Sequence, residues 1–287
     1  MKTVGKIVVC WFAFVVALVV AGILIRTLHL ALPEVPGNGA RGVQFGLTLL
    51  GGMVLVIGLW PIAQGLSGSL GKRAIALVSF LALAFGVNTM IEAANFTTLL
   101  DGRTAGAVIF YGAEALLLGL TLAALFGSRQ ELTRGESDQP FRLLRRLAAA
   151  WCAFPLIYLI FGICVAPIVT PYYRSISFLH IPPISRIVAV QLVRSAIFLA
   201  CSLPLIALWH GTKRRLWFAL GLAHAVVVGL YGLSSSTMLP QVLRVTHSIE
   251  ITADSFVYAW VLVTLFFTTR VVQTAEPVAE KARAIPV

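Results

Sequence analysis

Charge is what this chain of 287 residues has least of. Only 11% of its residues are Asp, Glu, Lys or Arg, against roughly 25% in the surface of a soluble domain. A water-soluble fold of this length cannot be covered with so few charges, so that class is excluded. Carboxylates are scarcer still, at 11 Asp plus Glu against 22 Lys plus Arg, a net charge of +11. Cysteine is sparse too. Cys10, Cys152, Cys164 and Cys201 show no CxxC spacing and fall inside apolar runs, which reads as helix packing and excludes a disulfide framework or a cysteine metal centre. No segment interleaves basic and aromatic residues in a soluble module, which excludes DNA or RNA as the partner of the positive excess.

What is abundant is apolar sequence, 59% of residues with a mean hydropathy of +0.93. A membrane-spanning helix needs about 20 mostly apolar residues. Eight stretches meet that length: Ile7 to Ile25, Val43 to Leu66, Ala74 to Phe96, Ala105 to Phe126, Leu147 to Thr170, Ile187 to Trp209, Leu216 to Leu233 and Thr246 to Thr269. The first follows Lys2 and Lys6, but its run of 19 apolar residues exceeds the usual h-region of about 7 to 15, so it reads as an uncleaved span. The predicted class is an all-α, polytopic integral membrane helix bundle.

The basic residues orient it. With the N-terminus in the cytoplasm, the inner segments hold Lys2, Lys6, Lys72, Arg73, Arg129, Arg134, Arg142, Arg145, Arg146, Lys213, Arg214, Arg215, Arg270, Lys281 and Arg283, which is 15 of the 22. That asymmetry predicts an N-in, C-in topology in a bacterial-type inner membrane. Residues 1–270 then form one membrane-embedded domain. A polar cytoplasmic loop at 127–146 divides it into two groups of four spans, and 271–287 is a short cytoplasmic tail.

Against this background the ionisable residues inside spans stand out, because each costs roughly 2.5 to 3.5 kcal/mol on insertion scales. In the eighth span Arg244, His247, Glu250, Asp254 and Tyr258 share a sector of roughly 120° at 100° per residue. In the third, Asn88, Glu92 and Asn95 recur at i, i+4 and i+7. The Ile-Glu pair at Glu92 and at Glu250 is an internal echo too short to define a repeat. Tyr111 and Glu114 lie one turn apart on the fourth span, and the sixth enters with Arg186, Gln191 and Arg194. Under the charge-derived topology all lie in the outer half of the membrane, describing a charge-balanced pocket open to the extracytoplasmic side. His224 stands alone in the inner half and reads as a helix-to-helix hydrogen bonder. Between spans five and six, Pro167, Pro171, Pro182 and Pro183 are expected to break the helix. The segment they define is either an aromatic-belt loop or a lid over the pocket.

Three functions fit. The preferred one is an intramembrane hydrolase or transferase acting on a lipid-linked or peptide substrate. His247, Glu250, Asp254, Glu92 and Glu114 are then its acid–base candidates. Arg186, Arg194 and Arg244, with Asn88, Tyr111 and Tyr258, are its substrate-binding candidates, the arginines for a small anionic group such as a lipid phosphate. His247 and Glu250 at i and i+3, with Glu92, are candidate ligands of a divalent metal ion. The alternative is a proton- or cation-coupled small-solute transporter, since buried carboxylates paired with arginine suit a proton relay. The third is a structural membrane subunit. Gly65-Leu66-Ser67-Gly68 with Ala223-His224 superficially resembles the rhomboid serine and histidine motifs, but the charge-derived topology puts Ser67 at the cytoplasmic surface and His224 in mid-membrane, too far apart for a dyad. The paired glutamates of prenyl-protein proteases and the Cys, Arg, His set of exosortases are absent.

Overall fold

A computed structural model describes residues 2–31, 41–129 and 140–268. Arg134, Arg270, Lys281, Arg283 and the expected tail at 271–287 lie outside the described residues. Eight helices are long and apolar enough to cross a membrane. We number them α1 (Thr3–Thr27), α2 (Gly42–Gln64), α3 (Leu70–Phe96), α4 (Thr104–Leu125), α5 (Pro140–Ser175), α6 (Ile184–Leu208), α7 (Lys213–Ser235) and α8 (Gln241–Phe266). All eight expected spans are present, so the chain is a polytopic helix bundle.

One expectation fails. Helix α5 does not end at Thr170 but runs on through Pro171 to Ser175, with Pro155 and Pro167 also inside it. Pro167 and Pro171 stand four residues apart, so the amide that Pro171 lacks is the one that would have bonded the Pro167 carbonyl. The missing donors thus fall along one edge of the helix, and proline is tolerated in spanning helices that pack against neighbours. The connection to α6 is therefore only residues 176–183, and Pro140 to Arg146, expected in the polar linker, already belong to α5.

The helices close into a ring. α1 packs on α2 and α4, α4 on α3, α3 on α6, α6 on α5, α5 on α8, α8 on α7, and α7 on α2. Replacing each helix of the first four by the one four places later, and the reverse, leaves this set of contacts unchanged, including the lesser contacts of α2 with α4 and α6 with α8. The two groups of four helices are thus pseudo-equivalent, related by a twofold passing between α3 and α7.

Individual bonds obey the same relation. At one end of the bundle Ser67 N donates to Leu208 O at 2.7 Å and His210 N donates to Gly65 O at 3.0 Å; one constant offset along the chain carries Ser67 to His210 and Gly65 to Leu208. That offset also relates Pro61 of α2 to Pro204 of α6. It relates Ser69, whose hydroxyl accepts from Lys72 N at the start of α3, to Thr212, which accepts from Arg215 N at the start of α7. Trp11 Nε1 donates across the α1–α2 contact to Leu49 O at 2.9 Å, and Trp151 Nε1 crosses the α5–α6 contact to Leu192 O at 2.8 Å.

Each central helix contains a π-helical segment, Leu81–Val87 in α3 and Val226–Leu230 in α7, and the two segments meet on the axis. Such wide turns recur at functional sites because they re-aim the side chains that follow. Here they are followed by Asn88 and Tyr231, again at the constant offset.

The two ends of the bundle differ. At the end carrying Lys72, Arg73 and Lys213 to Arg215, the loops after α2, α4 and α6 are knitted together: besides the reciprocal pair above, Gly68 N donates to Ser128 O at 3.0 Å and Ser128 N to Leu66 O at 2.8 Å, while buried Arg73 donates to Phe126 O. At the opposite end the loop after α3 pairs with the loop after α5, Thr98 N donating to Phe178 O at 3.1 Å and His180 N to Phe96 O at 3.0 Å.

Candidate functional site

A cavity of about 450 Å3, within the usual range of ligand sites, opens at this second end. The first repeat contributes Gln44, the last turns of α3 from Thr89 and Glu92 to Phe96, and Tyr111 of α4. The second repeat contributes Tyr158 and Tyr173 of α5, Arg194 of α6, and His247, Glu250 and Asp254 of α8. Phe178 and Leu179, in the expected belt or lid segment, line its mouth. An aromatic layer forms its floor, where Phe154 packs edge-on against Phe198 and Tyr258, and Phe198 against the His224 ring.

Arg194 is the centre of the polar part. Its side chain is 1% exposed and its three nitrogens are all engaged: Nε donates to Asn88 Oδ1 at 2.6 Å, Nη1 to Gln191 Oε1 at 2.9 Å, and Nη2 meets Glu92 Oε1 at 2.7 Å. The guanidinium also lies 5.5 Å from the Phe154 ring centre and 5.7 Å from those of Tyr158 and Phe198, within cation–π range. A planar, permanently charged fork can satisfy three directions at once, which a lysine cannot. The i, i+3 spacing of Gln191 and Arg194 on α6 and the i, i+4 spacing of Asn88 and Glu92 on α3 bring the four groups together across the contact between repeats.

Across the cavity, His247 Nδ1 donates to Glu250 Oε2 at 2.7 Å, one turn along α8. This bond leaves Nε2 to face the Tyr173 hydroxyl, 3.4 Å away. A carboxylate on one ring nitrogen fixes the tautomer, so Glu250, His247 and Tyr173 are aligned as carboxylate, imidazole and hydroxyl in one series. Asp254, one turn deeper, is 7% exposed and accepts a hydrogen bond from Ser255 Oγ at 3.4 Å. It lies within electrostatic reach of Arg194, Glu250 and Glu92.

The expected site residues therefore divide. Glu92, Arg194, His247, Glu250, Asp254, Tyr111 and Tyr258 line the cavity, and Asn88 stands directly behind it on Arg194. Glu114 is not in the wall: it is buried in the first repeat, its two carboxyl oxygens accept no hydrogen bond from the described residues, and Tyr111 and Tyr231 are its electrostatic neighbours. Arg186 is exposed and ties the start of α6 to the end of α3, its Nε donating to Asn95 Oδ1 at 2.9 Å. Arg244, in the first turn of α8, also stands outside the wall, with a buried Nε that has no partner among the described residues.

The expected metal ligand set is not assembled. Glu250 closes on its own helix's His247 and Glu92 is taken by Arg194, and among the described residues no group of three or more His, Cys, Asp and Glu is disposed to hold a metal ion. His224 does bond between helices, its Nε2 lying 3.0 Å from Ser202 Oγ, and it also reaches the cavity floor. The motif that resembles rhomboids pairs differently, since the partner of His224 is Ser202 of α6 and not Ser67. Tyr158 and Tyr173 are the site residues that sequence reasoning missed. Tyr173 sits in the proline-rich stretch taken for a loop, and its place on α5 was hidden by that boundary error.

No protein-family model, no curated protein and no solved structure matches this chain.

Proposed function

We propose that the protein is a proton-coupled secondary transporter of the inner membrane, with the basic end of the bundle in the cytoplasm and the cavity open to the extracytoplasmic side. The orientation rests on the concentration of Lys and Arg at the knitted end. The observation that carries transport is the position of the cavity, between α3 of one four-helix repeat and α5, α6 and α8 of its pseudo-equivalent. Parallel repeats about an axis along the membrane normal, with the binding site at their interface, allow the two halves to rock around that site and expose it alternately. The reciprocal bonds between the 65–68 and 208–210 loops then act as the cytoplasmic gate, and the Tyr173, His247, Glu250 chain with Asp254 supplies the titrating groups.

The second reading, an intramembrane hydrolase or transferase, is favoured by that same chain, which has the order of an acid–base relay. Sealed proteoliposomes separate the two. Given an imposed pH gradient and a cellular metabolite extract, the wild-type protein should accumulate a solute that is detected in the lumen by mass spectrometry, and Glu250→Gln should lower the rate of that accumulation by about a hundredfold, the low end of what loss of a proton-transfer group costs. Absence of any gradient-dependent accumulation overturns transport. A chemically altered compound formed in detergent, where no gradient exists, establishes the enzyme instead.

A further inference from the structure

The cavity walls carry unequal charge. Glu92, Glu250 and Asp254 face it with a single guanidinium, that of Arg194, because Arg186 and Arg244 lie elsewhere. The imidazole of His247, bonded to Glu250, offsets at most one more. Arg194 already spends each nitrogen on Asn88, Gln191 or Glu92, so it has little left to offer an incoming anion. The negative side is the unsatisfied one. Asp254 is more than nine-tenths buried, lines the cavity, and among the described residues accepts a hydrogen bond at Oδ1 alone, from Ser255 Oγ. Such a carboxyl is costly in its charged form, and an approaching cation offsets that cost.

The remaining wall suits an organic cation. Phe96, Tyr158, Tyr173 and Phe178 present aromatic surface around the carboxylates, and Arg194 shows that a delocalised cation is already stable against Phe154, Tyr158 and Phe198 here. Aromatic faces with nearby carboxylates are the usual recognition surface for ammonium groups. Met90, Leu239, Leu243 and Ile251 line the rest of the space and leave room for an apolar body.

We infer that the cavity binds an amphiphile whose head is an ammonium group, docked at Asp254 within the aromatic wall and with its apolar portion among Met90, Leu239, Leu243 and Ile251. This assignment rests on the transport reading for its role as cargo, but the binding itself does not. The ammonium can belong to a free hydrophobic amine or to the head of a membrane lipid, and these sources share the same contacts.

The test is equilibrium binding of octylammonium and of octyl sulfate to the purified full chain in a non-ionic detergent, followed calorimetrically and by thermal stability. Octylammonium should bind saturably and raise the unfolding temperature, and octyl sulfate should do neither. Asp254→Asn should weaken octylammonium by at least about tenfold, while Glu114→Gln, outside the cavity wall, should leave it unchanged. Equal binding of the two amphiphiles, or binding indifferent to Asp254→Asn, overturns the assignment; the first comparison needs no variant to fold. Nanodiscs distinguish the sources: phosphatidylethanolamine discs compete with octylammonium, relative to phosphatidylglycerol discs, when the head is a lipid's, and the two disc types bind it equally when the cargo is a free amine. Because no gradient enters these measurements, ammonium-selective binding without flux defeats transport alone, and flux of a solute lacking an ammonium group defeats only the cargo.

Discussion

At the scale of the residue, Arg194 decides the site. It is buried to 1% exposure and bonded to Asn88, Gln191 and Glu92, so truncating it leaves a carboxylate and two amides facing each other without a donor fork. Breaking one side of a buried ion pair typically costs about 3 to 5 kcal/mol. Arg194→Met should therefore lower stability in detergent by about 3 kcal/mol, and the double variant Arg194→Met, Glu92→Gln should recover part of that loss. Chemical denaturation followed by intrinsic fluorescence checks both, and a single variant as stable as wild type would show that the cluster contributes nothing to the fold. The candidates were legible in the sequence because charge is so scarce in these spans that each ionisable residue is conspicuous. Their grouping was legible only in part: helical periodicity aligns His247, Glu250 and Asp254 on one face, but it says nothing of which neighbour that face meets. Glu114 shared the expected depth and charge yet belongs to a different contact.

At the scale of the element, close approach of helices depends on small residues, since lipid offers no hydrophobic drive to hold spans together. On α4, a Cβ added at Gly119 would stand 2.8 Å from the Val78 side chain and 3.0 Å from its backbone N and Cα. The backbone of α3 cannot yield as a flexible side chain can. Gly119→Ala should thus separate α3 from α4 and lower the unfolding temperature, with a cost of about 1 to 3 kcal/mol expected of overpacking. Gly22→Ala on α1, where nothing lies within 4 Å, is the matched control and should be neutral or slightly stabilising. Equal stabilities for the two variants would show that α3 and α4 are not held at this distance. Hydropathy located all eight helices, because span length is set by membrane thickness. It could not place the end of α5, where the local rule for proline conflicts with a helix that continues to Ser175, nor could it reveal the π-helical segments Leu81–Val87 and Val226–Leu230, whose residues are ordinary apolar ones.

At the scale of the molecule, the twofold relation between the halves is what the sequence concealed most completely. The echo visible in sequence linked Glu92 of α3 to Glu250 of α8, but the packing pairs α3 with α7 and α4 with α8. Equivalent positions have diverged in chemistry while keeping their contacts. Arg194 meets Asn88 and Glu92 where α6 packs on α3; at the same offset Gly51 meets Tyr231 and Ser235 where α2 packs on α7, and there an added Cβ would lie 3.2 Å from the Tyr231 ring and 3.4 Å from Ser235 Cβ. One of the two equivalent contacts between the repeats thus borders a charged cavity, and the other is filled by an aromatic side chain packed on a glycine. The cavity opens at the end of the bundle opposite the basic loops, and the proposed function requires that end to be extracytoplasmic. Cysteine labelling in intact cells tests this directly. In a background lacking Cys152 and Cys164, the two exposed native cysteines, Asp101→Cys lies in the exposed loop after α3 at the cavity end and Gly71→Cys is exposed at the start of α3 at the basic end. A membrane-impermeant maleimide should modify Asp101→Cys in intact cells and Gly71→Cys only after permeabilisation. The reverse pattern would turn the cavity toward the cytoplasm, and would make the reciprocal 65–68 and 208–210 loop contacts an outer gate instead of an inner one.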